Sequence, residues 1–147
     1  MILQTDKRLP EPIPTFGCYL CSCLYHAEKK TGKTFTADDV VGIYRAAKQT
    51  GIIGDECFVK DPVALMTLAG AKGKSVTKAT NNVYPVPPAV ELLHFHRDAD
   101  TPKGMGNSVH DHFVAGTGTG KVAFDPLGDS NTVKYGFLQN KRIIEVS

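Results

Sequence analysis

The chain has 147 residues, of which 41% are hydrophobic and 22% are charged, as is typical of one globular domain. Its 17 basic and 15 acidic residues leave a net charge of +2 with no basic cluster, which argues against a nucleic-acid partner. No apolar run approaches the roughly 20 residues that span a bilayer, and the N-terminus lacks the apolar core of a signal peptide. We therefore expect a single cytoplasmic domain over residues 1–147, without a membrane partner.

The first half of the chain predicts helices. Prolines in residues 1–17 favour an extended or looped entry, and the apolar spacing after Gly17 predicts a first helix that ends near Gly32. Cys18 lies at or next to the start of this helix. Thr36 and Asp61 are N-cap residues for a second and a third helix, which end near Gly51 and Gly70.

The second half of the chain predicts strands. From residue 74 onward, short segments rich in β-forming residues alternate with Gly, Pro, Asn and Asp. The glycine-rich "GTGTGK" predicts a hairpin turn, because a strand follows it rather than a helix. Helices followed by an antiparallel sheet indicate the α+β class. The predicted strands are "KSVTKA", "AVELLHFHR", "HDHFVAGTG", "KVAFDP", "NTVKYG" and "KRIIEV".

One constellation of residues suggests nucleophilic catalysis. A helix dipole favours the thiolate form of a cysteine at the helix N-terminus, where Cys18 is expected. His112 begins an apolar strand, and Asp125 ends the strand that follows the "GTGTGK" turn. Adjacent antiparallel strands bring these two residues to the same end of a sheet. The pattern predicts a thiol nucleophile, a histidine base and an orienting carboxylate.

The ordered motifs resemble those of papain-like cysteine peptidases, and most closely the bacteriocin-processing branch. The motifs are "QTDKR" from Gln4, "GC" at Gly17 and Cys18, "HFV" from His112 and "DP" at Asp125. The resemblance implies a papain-like fold in which an N-terminal helical half packs on a C-terminal antiparallel sheet. It implies a cysteine-dependent amide hydrolase, a peptidase or isopeptidase acting on a peptide or protein, with no cofactor. Cys18, His112 and Asp125 would form the triad, and Gln4 would donate to the oxyanion.

The remaining cysteines and histidines have structural interpretations. Cys21, Cys23 and Cys57 are expected to be buried apolar residues with free thiols. Of the two His-x-His pairs, the first is expected to be structural or at the rim, and the first histidine of the second pair is expected to be solvated. Asp111 is a weaker candidate than Asp125 for orienting His112, because neighbours on a strand point to opposite faces. The histidines with structural or solvated roles are His94, His96 and His110.

Two alternative functions stay open. The bulky Tyr19 directly after Cys18, and the long segment that separates Gln4 from Cys18, suggest a papain-like fold that binds or inhibits a protein partner without turnover. The Cys18-x-x-Cys21 spacing, together with the two His-x-His pairs, also allows a small zinc-binding domain.

Overall fold

The computed structural model describes residues 1–98 and 111–147. Its helices precede a five-stranded antiparallel sheet with strand order β1-β5-β2-β3-β4, which confirms the α+β class. In the described part of the chain, no helix is both long enough and apolar enough to cross a membrane. The helices are α1 (Ile13–Phe16), α2 (Cys18–Thr31), α3 (Ala37–Gln49), α4 (Pro62–Leu68) and α5 (Asn131–Tyr135), with a 3₁₀ turn at Asp55–Cys57. The strands are β1 (Gly73–Ala79), β2 (Val90–His96), β3 (Asp111–Gly116), β4 (Val122–Phe124) and β5 (Phe137–Val146).

The three long helices begin and end where the sequence predicts. Thr36 and Asp39 form a reciprocal capping box at the start of α3, and the Asp61 carboxylate accepts from the Ala64 amide at the start of α4. Helix α2 ends at Gly32, whose φ of 73° is in the left-handed region that glycine adopts without strain.

The entry segment differs from its prediction, because one helical turn, α1, forms within it. Gly17 joins α1 to α2 and lies very close to the backbone of Ile13 in α1. A Cβ added there would lie 2.5 Å from the carbonyl oxygen of Ile13, so no larger residue fits. This contact gives a physical reason for the glycine directly before Cys18.

Five of the six predicted strands form, and "NTVKYG" is a correction because it folds into helix α5. The Ser130 hydroxyl accepts from the Val133 amide and caps this helix. Where α5 ends, a Cβ on Gly136 would lie 2.3 Å from the carbonyl oxygen of His96, so the helix end packs directly on the end of β2. Capping and this close approach outweigh the β-forming tendency of the segment.

Helix α2 is the element that joins the two halves. Its buried side chains pack into the main core, and α2 makes its most extensive contacts with β3. The Ser22 hydroxyl donates to the carbonyl of Phe113 at 3.2 Å, and the His26 ring contacts the carbonyl of Glu91 at 2.8 Å. These contacts hold the N-terminus of α2, with Cys18, beside the start of β3.

Candidate active site

Cys18 is the first residue of α2 and is partly exposed. It lies on the wall of an open cavity of about 780 Å³, which is bounded by the helical half, by the segment around the 3₁₀ turn and by the sheet. Phe113 of β3 and Arg142 of β5 lie on the sheet side of this cavity. Cys18 is therefore within reach of a molecule that enters from solvent.

His112 lies between Cys18 and Asp125. Its side chain is 1% exposed, its Nε2 lies 2.7 Å from Asp125 Oδ1, and its ring makes a side-chain hydrogen bond with the Cys18 thiol. Because Nε2 is hydrogen-bonded to Asp125, Nδ1 is the ring nitrogen that remains available to the Cys18 thiol. The structure thus brings together the three residues that the sequence pattern selects.

Both carboxylate oxygens of Asp125 accept hydrogen bonds. Oδ1 accepts from the Leu127 amide at 2.9 Å in addition to its contact with His112. Oδ2 accepts from the Ser130 amide at 3.1 Å and from the Ser130 hydroxyl at 2.7 Å. Ser130 is not among the site residues that the sequence pattern selects. A serine N-cap shortly after Asp-Pro was the available signal, but the hydroxyl's second partner depends on the folded turn.

The electrostatics of the His112–Asp125 pair favour a charged imidazole. Burial alone lowers the pKa of His112, but the hydrogen bonds to Asp125 and Cys18 outweigh it and raise that pKa from 6.5 to about 9. Burial alone raises the pKa of Asp125, but hydrogen bonds from His112 and Ser130 lower it to about 2. Near neutral pH the pair is therefore an imidazolium bonded to a carboxylate.

Gln4 is buried between the two halves of the site. Its backbone amide donates to the Pro126 carbonyl at 2.9 Å, directly after Asp125, and its Nε2 donates to the Pro14 carbonyl at 3.1 Å. Its Oε1 is buried without a hydrogen-bond partner among the described residues. Gln4 therefore links the turn after Asp125 to the helical turn that precedes Cys18, and its oxyanion role stays a prediction.

The other cysteines differ from Cys18 in their surroundings. Cys21 and Cys23 are fully buried, and burial raises the pKa of each thiol. Cys57 is also buried, and burial together with the nearby Cys18 thiol raises its pKa to about 12. The buried, apolar interpretation of these three residues is confirmed, and all four cysteines are free thiols.

His94 and His96 meet Asp111 rather than Cys18. Asp111 Oδ1 lies 2.9 Å from His94 Nε2 and 3.0 Å from His96 Nδ1. Asp111 is thus occupied by two histidines, whereas His112 is bonded to Asp125. His110, for which a solvated position is predicted, lies outside the described residues. Across residues 1–98 and 111–147, no three His, Cys, Asp or Glu side chains are grouped in a way that could hold a metal ion.

The fold and the site define a class: an α+β domain in which a buried histidine–aspartate pair contacts a cysteine on an open cavity. The chain belongs to the family described as "Protein of unknown function, DUF261", whose family model matches residues 1–146. No curated protein sequence and no solved structure shows significant similarity to the chain.

Proposed function

We propose that the protein is a papain-like, cysteine-dependent amide hydrolase that acts on a peptide or isopeptide bond. The observation that carries this proposal is the contact of Cys18, at a helix N-terminus on an open cavity, with a His112 ring that Asp125 holds from its other side. A partly exposed cysteine, a base within hydrogen-bond reach and a group that orients the base are the parts that nucleophilic catalysis needs.

The first half-reaction makes a thioester. In the reactive form the shared proton resides on His112 as an imidazolium, and the Cys18 thiolate attacks the carbonyl carbon of the substrate amide. The tetrahedral oxyanion accepts hydrogen bonds from the backbone amide of Cys18 and from the Gln4 side chain, whose Nε2 keeps one hydrogen beyond its bond to Pro14. His112 then returns its proton to the leaving nitrogen, the carbon–nitrogen bond breaks, and the amine departs.

The second half-reaction releases the acid. His112, now neutral, takes a proton from water, and the resulting hydroxide attacks the thioester carbonyl. The carbon–sulfur bond breaks, the Cys18 thiolate is restored beside the His112 imidazolium, and the carboxylic acid product leaves. Asp125 stays ionised and keeps the imidazole in one orientation throughout. None of these steps uses a metal or an organic cofactor.

The arrangement of the two halves supports the papain-like assignment. The nucleophile opens a helix of the N-terminal half, the base lies on β3 of a C-terminal antiparallel sheet, and the orienting acid directly follows the neighbouring strand β4. Tyr19 packs against Phe113 with ring centroids 4.7 Å apart, so its ring forms part of the cavity wall beside Cys18.

The first test is the reactivity of Cys18 at pH 6. An ordinary thiol with a pKa near 8.5 is only about 0.3% thiolate there, so rapid alkylation at pH 6 requires a thiolate that a neighbouring positive charge stabilises. We expect iodoacetamide to alkylate Cys18 at least about tenfold faster than it alkylates N-acetylcysteine, as measured by peptide mapping. His112→Gln should remove this advantage. If Cys18 reacts no faster than the free amino acid derivative, the proposed nucleophile is wrong.

The second test is turnover. A pool of fluorogenic peptide amides should be cleaved by the protein and not by its Cys18→Ala variant, and single-turnover samples should contain an acyl group on Cys18. A different outcome supports the binding or inhibitory module: no cleavage, together with a stable protein complex that survives both Cys18→Ala and His112→Ala.

A further inference from the structure

Basic side chains are distributed around the cavity that holds Cys18. Lys78 of β1 and Arg142 of β5 lie on the sheet side, and Lys60 lies on the opposite wall, after the 3₁₀ turn. Three acidic side chains, Asp55, Glu56 and Asp111, also line the cavity.

Among the described residues, Arg142 is held by neutral partners and not by a carboxylate. Its Nη1 donates to Asn140 Oδ1 at 2.7 Å and to the carbonyl of Lys141 at 3.3 Å, both of which are neutral acceptors. The guanidinium also lies over the Phe113 ring, 5.4 Å from its centroid. Its charge is therefore positioned over the aromatic wall of the cavity and is not neutralised by any described residue.

Lys78 lies directly opposite Arg142 in the pairing of β1 with β5. Like charges at directly opposed positions of an antiparallel pair destabilise the sheet. In the described part of the chain, neither Lys78 nor Lys60 forms a salt bridge. Three positive groups thus converge on one cavity at some cost to the fold.

Most of the acidic side chains on the cavity are already occupied. Asp55 forms an ion pair with Lys48 at 3.1 Å, and Asp111 is bonded to His94 and His96. The hydrogen bond with Asp111 raises the pKa of His96. Glu56 is the acid on the cavity without a salt bridge among the described residues. With Asp55 paired to Lys48, the three basic side chains outnumber the two remaining acidic ones, Glu56 and Asp111.

We infer that Lys60, Lys78 and Arg142 select a peptide substrate that carries the carboxylate of an acidic side chain close to the scissile amide. This inference rests on the proposed function, because it places the anionic group of the substrate in the cavity that opens on Cys18. The Phe113 ring under Arg142 supplies an apolar contact for the backbone and stem next to that carboxylate.

The first experiment compares two alkylators of similar size, anionic iodoacetate and neutral iodoacetamide. In both reactions the Cys18 sulfur forms a bond to the methylene carbon and iodide leaves, so their rate ratio reports the local charge. We expect the rate constant for iodoacetate, divided by that for iodoacetamide, to fall about threefold in each of Lys60→Gln, Lys78→Gln and Arg142→Gln. The same ratio should fall when salt is added to the wild-type protein. Arg142→Lys should keep the ratio. Lys121→Gln, which removes a lysine that is not on the cavity, should leave it unchanged.

The second experiment measures binding without turnover. The Cys18→Ala protein is titrated by calorimetry with a capped peptide that contains one glutamate, with its glutamine counterpart, and with a short oligothymidylate. Tighter binding of the glutamate peptide, weakened by Arg142→Gln, supports the inference. Equal binding of the two peptides overturns it, and so does preferential binding of the oligonucleotide, which would assign the positive groups to phosphate.

The two proposals fail in different ways. If Cys18 reacts rapidly with iodoacetamide but the charge ratio is the same in all variants, the hydrolase proposal stands and the inferred selectivity is wrong. If Cys18 is unreactive toward both alkylators, the hydrolase proposal is wrong, and the calorimetric comparison alone then decides whether the cavity binds a carboxylate.

Discussion

Two buried carboxylates, Asp125 and Glu91, use similar contacts at different places in the sheet. Asp125 binds the His112 ring and accepts hydrogen bonds from the amides of Leu127 and Ser130. Glu91 binds Lys141 Nζ at 3.0 Å and accepts from the amides of two glycines in the "GTGTGK" turn, each at 2.9 Å. In both cases a charged partner and backbone amides together compensate for the loss of water around the carboxylate.

The difference between the two lies in access to solvent. Glu91 and Lys141 are both 0% exposed, and a Cβ on Gly116 would lie 2.5 Å from the Glu91 side chain. The glycine-rich turn is thus folded around a carboxylate of its own chain. The pair of Asp125 with His112, in contrast, continues to a cysteine that opens on a cavity. A buried charged pair is therefore a structural feature here unless a nucleophile connects it to solvent.

The largest expected effect is a loss of stability when the fully buried pair of Glu91 and Lys141 is broken. Glu91→Ala leaves Lys141 charged, buried and unpaired, which should lower the free energy of unfolding by about 3–5 kcal/mol. Urea denaturation measures the change. The double variant Glu91→Leu/Lys141→Met is the control, and it should recover most of the loss because no buried charge remains. A loss below about 1 kcal/mol in the single variant would show that water reaches the pair.

The second effect is a loss of Cys18 reactivity when the pair of His112 and Asp125 is broken. Asp125→Asn removes the charge that stabilises the imidazolium, and each unit by which the pKa of His112 falls weakens the thiolate–imidazolium form about tenfold. We expect the rate of Cys18 alkylation near neutral pH to drop by about ten- to a hundredfold and to recover at alkaline pH, where the free thiolate forms. Glu91→Ala, assayed below its unfolding transition, should retain the wild-type rate. Similar losses in the two variants would contradict the distinction between the pairs.

Local signals were sufficient for much of the fold. The cap residues Thr36 and Asp61, and the glycine at position 32, mark helix boundaries through contacts within one turn of the chain. The segment "NTVKYG" was misassigned because its outcome depends on Ser130, which is engaged with both the helix and Asp125. Its residues favour a strand, and the contacts that override them are absent from its own sequence.

The candidate site likewise contains residues that the sequence predicts and contacts that it does not. The order and spacing of the motifs, with a family resemblance, select Cys18, His112 and Asp125, which the structure brings into contact. The convergence of Lys78 and Arg142 could not be predicted, since it requires the register between the strands β1 and β5. The pairing of Glu91 with Lys141 likewise requires the register between β2 and β5. Such contacts join residues that are far apart in the chain and carry no local signal.

A third effect concerns the pH dependence of stability. The pKa of His112 is about 9 in the folded protein and near 6.5 in an unfolded chain, so its charged form stabilises the fold fully below pH 6.5. This contribution is lost as the pH rises from 6.5 to 9, and we expect a decrease of about 1–3 kcal/mol over that range. His112→Gln should remove that part of the pH dependence, since the other titrating groups are common to both proteins. Parallel stability curves for the two proteins would contradict a raised pKa.

The smallest expected effect concerns the residue behind Asp125. Ser130→Ala removes the hydroxyl that donates to Asp125 Oδ2 and that accepts from Val133, but it keeps the backbone donor to the same carboxylate. We expect a loss of about 1–2 kcal/mol in stability and a decrease of about two- to fivefold in Cys18 alkylation near neutral pH. Thr36→Ala is the matched control, because it removes the N-cap of α3 at a comparable cost in stability and touches no residue of the site. If the two variants lose stability to a similar extent and only Ser130→Ala slows alkylation, Ser130 positions Asp125. Equal alkylation rates would instead show that the backbone amides hold the carboxylate without the hydroxyl.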